Sequence, residues 1–186
     1  MVSRQKLRVL FSFSMTAMLI MPTLAHAQPK AKLKAQCTDG VGEACYQLAV
    51  GDRNGNAALK LLTRGCKAKH PRSCLELGLR YHKDKKAKQA AQHFRAGCDL
   101  NDYGACTLLG SMLLDGYGVK QSAKKAAKRL SKACSGGHAM GCTALAKLYA
   151  AGNGVSKDKK RAKRYASEGC KKGAKQACKL LKRLNR

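Results

Sequence analysis

Residues 132–142 read "KACSGGHAMGC", two cysteines eight positions apart around a glycine pair. The same C-x7-C spacing occurs five times, at Cys37/Cys45, Cys66/Cys74, Cys98/Cys106, Cys134/Cys142 and Cys170/Cys178, and these ten are all the cysteines of the chain. On one continuous helix such a pair would stand about 12 Å apart along the axis. A disulfide needs Cα atoms within about 7 Å. If the pairs are bonded, the chain must reverse between them. Gly136 and Gly137, Gly173, Asn101 with Gly104, Gly40 with Gly42, and His70-Pro71 are the residues that could turn it. Each pair would then tie the last turn of one helix to the first turn of the next.

The start of the chain bears on which cysteine chemistry applies. Residues 1–27 open with Arg4, Lys6 and Arg8, continue through a mostly apolar run from Val9 to Met21, and end on Ala25-His26-Ala27. This is the order of a secretory signal peptide. The apolar run is shorter than the ~20 residues that span a bilayer. Cleavage is expected before Gln28, which leaves a soluble mature chain with no transmembrane segment, periplasmic or secreted. In an oxidising compartment an even cysteine count argues for a disulfide framework. Zinc is the competing reading. However, structural zinc favours C-x2–4-C spacing and four ligands, and the histidines show no ligand spacing. No C-x-x-C redox motif is present. No metal or cofactor is expected.

The cysteines also mark a repeat. From Cys106 the next equivalent cysteine lies 36 positions on, and the two units align without gaps. Thr107 falls over Thr143, Leu109 over Leu145, Gly116, Gly118 and Val119 over Gly152, Gly154 and Val155, and Ala126 over Ala162. A period of this size points to an all-α solenoid rather than one globular core. Each unit resolves into two helices. The segment 105–115 has helical apolar spacing and "GYGV" ends it, while Ser122 and Asp158 stand as N-caps before "AKKAAKRLSKAC" and "KKRAKRYASEGC". On the second helices Ala126, Leu130 and Ala133 share a face, as do Ala162, Ala166 and Gly169. Small residues there would let helices approach closely. His138 has no counterpart in the following unit, where Ala174 stands, and reads as a loop residue.

From Thr143 to Ala162 the chain reads "TALAKLYAAGNGVSKDKKRA". This resembles the Sel1-like repeat, a relative of the tetratricopeptide repeat. With a cysteine closing each second helix and another opening the next first helix, the chain is similar to bacterial cysteine-rich Hcp-type Sel1 proteins. The likeness covers Gln36–Lys182, strongly over 104–178 and more loosely over 37–98, where the G-x-G-V turn is missing and shorter loops are expected. It implies a right-handed α-solenoid with a disulfide within each repeat and a concave face lined by first helices. On this reading 28–36 is a lead-in helix, and 37–186 holds about four helix pairs plus a C-terminal capping helix. The resemblance also implies a scaffold that holds a protein or peptide in its concave groove.

Some Hcp-type members bind β-lactams and hydrolyse them weakly, which gives an enzymatic alternative. Serine β-lactamases use S-x-x-K together with S-D-N and K-T-G elements. The spacing occurs at Ser122–Lys125 and Ser156–Lys159 without the partner elements, in a chain with 10 serines and 26 lysines. Ser122 already has a role as an N-cap. No catalytic residue is assigned.

Charge goes beyond the fold. Loss of the signal peptide takes three positive charges from a total of +28 and leaves +25. Residues 28–119 hold 15 basic and 8 acidic side chains, a net of +7, whereas residues 120–186 hold 20 and 2, a net of +18. Lys124, Lys125, Lys128, Arg129, Lys132, Lys159, Lys160, Arg161, Lys163 and Arg164 all fall on the second helices of the last two units. A solvated face is one explanation. The other is attraction of anionic partners, such as envelope polymers, lipid headgroups or acidic proteins. Specific nucleic-acid binding is not expected, because export and seven aromatics in the mature chain argue against it.

Overall fold

The computed structural model describes residues 30–52 and 55–186 of the chain, so the signal-peptide reading of 1–27 lies outside the described residues. Those residues form ten α-helices and no strand: α1 (Lys30–Thr38), α2 (Gly42–Val50), α3 (Gly55–Lys67), α4 (Pro71–Lys83), α5 (Ala87–Asp99), α6 (Tyr103–Asp115), α7 (Ala123–Ser135), α8 (Ala139–Ala151), α9 (Lys159–Lys171) and α10 (Lys175–Asn185). Helix α1 leads in, and α2/α3, α4/α5, α6/α7 and α8/α9 are successive pairs. Helix α10 packs on α9 and α8. Helix α1 carries Cys37 in its last turn.

Side-chain caps start α6, α7 and α9. Ser122 accepts a hydrogen bond from the Lys125 N–H at 3.3 Å, Asp158 from the Arg161 N–H at 2.8 Å, and Asp102 from the Ala105 N–H at 2.8 Å. These bonds satisfy donors that the first turn leaves unpaired. Helices α6 and α8 end on left-handed glycines, Gly116 at φ 72° and Gly152 at φ 76°.

The core is one thin layer between paired helices. Ala126, Leu130 and Ala133 are buried, as are Ala162, Ala166 and Gly169. Small residues set the spacing. A Cβ added to Gly78 would meet Phe94 at 2.6 Å, and one added to Gly110 would meet Leu130 at 2.7 Å. Phe94 and Leu130 are completely buried over those glycines, each contributing roughly 1.5–3 kcal/mol of transfer free energy.

The second glycine of the G-x-G-V turn has a packing role that spacing alone did not reveal. Gly118 lies against the backbone of Ala87, where an added Cβ would come within 2.3 Å of the carbonyl carbon. Gly154 lies against Ala123 in the same way, at 2.2 Å. Each loop of this kind therefore seats on the N-terminus of the preceding second helix. The α4–α5 connection lacks the motif and takes only residues 84–86, compared with 116–122 and 152–158 in the later pairs.

The joints between pairs reverse at one left-handed residue each: Gly40, Lys69, Asn101, Gly137 and Gly173, with φ between 58° and 89°. This corrects the sequence reading at four joints. At the first and third, Gly42 and Gly104 lie inside α2 and α6, and Gly40 and Asn101 alone make the turn. At the second joint Lys69 makes the turn, while the His70 side chain caps α4 and Pro71 occupies its first turn. At the fourth joint Gly137 alone has positive φ; Gly136 is glycine because a Cβ would enter the Tyr103 ring, 2.2 Å from Cζ.

Candidate functional site

All five C-x7-C pairs are disulfides, Cys37–Cys45, Cys66–Cys74, Cys98–Cys106, Cys134–Cys142 and Cys170–Cys178, with Cα–Cα distances of 4.4–4.7 Å. Each joins the last turn of α1, α3, α5, α7 or α9 to the first turn of the helix that follows. Glu168 lies within 4.8 Å of the Cys134 and Cys142 sulfurs. Those sulfurs are bonded to each other and offer no thiolate to a metal.

Side chains add further ties between neighbouring pairs. His138 is the N-cap residue of α8 rather than a plain loop residue, and its Nδ1 is 2.9 Å from the Thr107 hydroxyl on α6. At the equivalent position, His70 Nε2 is 2.8 Å from Glu43 on α2. Arg129 on α7 meets Asp99 at 2.6 Å, and Lys132 donates to the Cys98 carbonyl at 2.7 Å. Both reach back to the C-terminus of α5, where a cation complements the helix dipole.

The ten basic residues singled out above lie on α7 and α9, and the two helices use them differently. On α7, Lys124, Lys125 and Lys128 are exposed, and Lys125, Lys128, Arg129 and Lys132 border one groove. On α9, Arg161 pairs with Asp158 at 3.2 Å and stands 5.6 Å from the Tyr149 ring centre, and Arg164 stands 4.8 Å from that of Tyr165. The hydrogen bond to the Tyr149 hydroxyl, with neighbouring charge, raises the Arg161 pKa further. Lys159 and Lys160 are exposed and Lys163 is half-buried.

The first helices touch one another along their row, α2–α4, α4–α6, α6–α8 and α8–α10, more closely than the second helices do, which curves that row inward. Between α4 and α6 this inner face opens a groove of about 740 Å³. Phe94, Leu108 and Met112 form its floor, with Tyr117 at one end and His82, Lys83, Lys85 and the single carboxylate Asp115 around it. A second inner groove, between α8 and α10, is bordered by Lys147, Lys179, Lys182, Arg183 and Arg186. Sequence reasoning missed these cations because only the α8–α10 contact brings them together.

The two serines of the S-x-x-K spacings are apart from these grooves. Ser122 spends its hydroxyl on the α7 cap, and Ser156 is exposed in the loop before Asp158. Among the titratable groups, His93 is pushed below its ordinary pKa by burial, and its ring stacks on Tyr81 at 5.2 Å.

Ten helices in stapled pairs define a helical-repeat scaffold. The Sel1 repeat family model matches residues 42–70, 71–102, 104–138 and 139–173, well over half of the chain, and the chain belongs to that family. With these boundaries Cys66, Cys98 and Cys134 each bond a cysteine of the next repeat. Those disulfides therefore join repeats rather than closing within them, contrary to what the resemblance implied.

Among solved structures, the chain is similar to c5321, a protective antigen of uropathogenic Escherichia coli strains with an SLR fold, at 22% identity and a TM-score of 0.76 over 83% of this chain and 36% of that one. It is similar to a Sel1 repeat protein from Oxalobacter formigenes at 21% identity and a TM-score of 0.72, over 84% and 67%. It is also similar to Helicobacter pylori cysteine rich protein B at 26% identity and a TM-score of 0.53, over 83% and 98%. The chain thus spans about a third of the length of the E. coli antigen. No curated protein matches it. Sel1 repeats are scaffolds that generally bind proteins.

Proposed function

We propose that this chain is an exported scaffold whose inner, first-helix face holds a protein or peptide segment carrying acidic and apolar side chains. The groove between α4 and α6 carries this reading. It pairs an apolar floor of Leu108, Met112 and Phe94 with a rim where His82, Lys83 and Lys85 outnumber the one carboxylate, Asp115. Tyr117 is exposed at its edge with its ring 5.6 Å from that of His82. A partly exposed aromatic beside an apolar slot is the usual anchor of a binding hot spot. The excess of cations would steer an acidic partner toward the molecule and speed encounter. Five disulfides suit an oxidising compartment, which supports export.

Selection of displayed peptides on the oxidised protein tests the proposal. The expected winners combine Asp or Glu with Leu, Phe or Met. Substitution Tyr117→Ala should weaken the best of them by about 2 kcal/mol, roughly thirtyfold. Winners without acidic residues, or binding indifferent to Tyr117→Ala and Ser111→Glu together, would overturn it.

A further inference from the structure

The second-helix side of the molecule carries a different groove, of about 590 Å³, where α5, α6 and α7 meet. Its floor is Leu109 and Leu113 of α6, and its walls hold Arg95 of α5 with Lys125, Lys128, Arg129 and Lys132 of α7. Asp99 is the acidic partner of this cluster, through Arg129. Five cations against one carboxylate leave the groove with a charge of +4. Arg129 and Lys132 are held in place by Asp99 and the Cys98 carbonyl, so two of the cations are fixed before any ligand arrives.

The repeat register singles this groove out. In the preceding repeat the positions of Leu113 and Arg129 are taken by Tyr81 and His93, whose rings stack at 5.2 Å. In the following repeat they are Tyr149 and Tyr165, stacked at 5.5 Å. The wall positions change as well. Thr63, Gln89, Gln92 and Ala96 stand in the preceding repeat where the middle one has Arg95, Lys125, Lys128 and Lys132. In the following repeat these positions are Ser131, Arg161, Arg164 and Glu168, and both arginines lie against the tyrosine rings. Of these three repeats, that of α6 and α7 alone combines a missing ring pair with a full set of cations.

We propose that the α5–α6–α7 groove is a binding site for paired phosphate groups, as in a diphosphate or two adjacent phosphate esters. Two phosphoryl groups carry about −3 to −4 between them at neutral pH, which matches the groove, whereas one carboxylate would leave most of its charge unpaired. Arg95 and Arg129 supply planar forks for phosphate oxygens, and the lysines supply point charges over an apolar floor that concentrates the field. The site shares no lining residue with the peptide groove. It deepens the reading of the basic surface without depending on the first-helix groove.

Calorimetry of the oxidised full chain with inorganic pyrophosphate, beside flotation with cardiolipin-containing vesicles, tests the site. Lys125→Gln with Lys128→Gln should lower pyrophosphate affinity about tenfold, while the equal charge loss of Lys159→Gln with Lys160→Gln should change it less than about twofold. Leu113→Tyr keeps the charge and restores the ring of the neighbouring repeats. It should leave the helical circular dichroism intact and weaken binding about fivefold. Peptide binding to the first-helix groove should be unchanged in all three, which keeps the two sites separable. Vesicle binding lost with the same groove variants identifies a lipid headgroup as the source of the phosphates; pyrophosphate binding without vesicle binding identifies a soluble ester. Equal losses in both lysine pairs would overturn the site in favour of diffuse surface charge. So would the absence of pyrophosphate binding in the native chain.

Discussion

The repeats α6–α7 and α8–α9 align without a gap, and their interiors are nearly interchangeable. Leu109 and Leu145 are both buried, as are Ala126 and Ala162, and Ala133 and Gly169 take the same position between helices. Gly118 and Gly154 seat their loops on the preceding second helix in the same manner. Their surfaces diverge. Where α8–α9 closes its groove with Tyr149 on Tyr165 and lays arginines on the rings, α6–α7 leaves Leu113 and Arg129 and an open cationic slot. Positions fixed by a neighbouring helix cannot change without a cavity or a clash. Positions facing the groove are free of that constraint, so there one repeat can become a site while its sibling stays structural.

The largest test of that comparison removes the staples. Replacing Cys134 and Cys142 by alanine should cost about 3 kcal/mol, within the range for native disulfides. The same change at Cys170 and Cys178 should cost less, because it loosens only α10, whereas the Cys134–Cys142 joint lies between two folded halves. Urea denaturation of the two variants, with and without reductant, reads the difference; equal losses would mean that the joints act independently of position.

An effect of similar size is expected at the loop glycines. Gly118→Ala and Gly154→Ala each place a Cβ against backbone at a positive φ, at a cost of about 2–4 kcal/mol. The shared packing requires the two costs to agree within about 1 kcal/mol. A mild effect at one site alone would show that the two turns are not seated alike.

The smallest effect distinguishes the ring pairs by titration. Burial lowers the pKa of His93 in the folded chain from its ordinary 6.5. Above that ordinary value both folded and unfolded states are neutral and His93 contributes no pH dependence. As pH falls through it the unfolded chain takes up the proton first, so stability drops until the folded state also protonates. His93→Gln should flatten this acid-side slope, measured by urea denaturation between about pH 7.5 and about pH 5. Tyr165→Phe, in the equivalent position, should leave the slope unchanged. An unaltered slope in His93→Gln would assign the acid sensitivity elsewhere.

Much of the frame is legible in the residues themselves. The C-x7-C spacing sets the joints, Ser122 and Asp158 mark helix starts, and small residues at four- and three-residue spacing mark the packed faces. What could not be read depends on partners some thirty positions away. His138 looked like a loop residue because its partner is Thr107 of the preceding repeat. Lys69 was passed over because lysine is an unusual choice for a left-handed turn. The cations of the basic face read as one patch, yet Arg161 and Arg164 lie on rings while Arg129 and Lys132 reach back to α5.

The sequence by itself determined the helix count per unit, the repeat phase and the positions of the five joints. These follow from short-range rules: helical periodicity, capping and the reach of a disulfide. The tertiary structure decided which cations share a groove and which are neutralised. Those are properties of surfaces made by neighbouring helices, and a repeat register brings them together only once the chain has stacked.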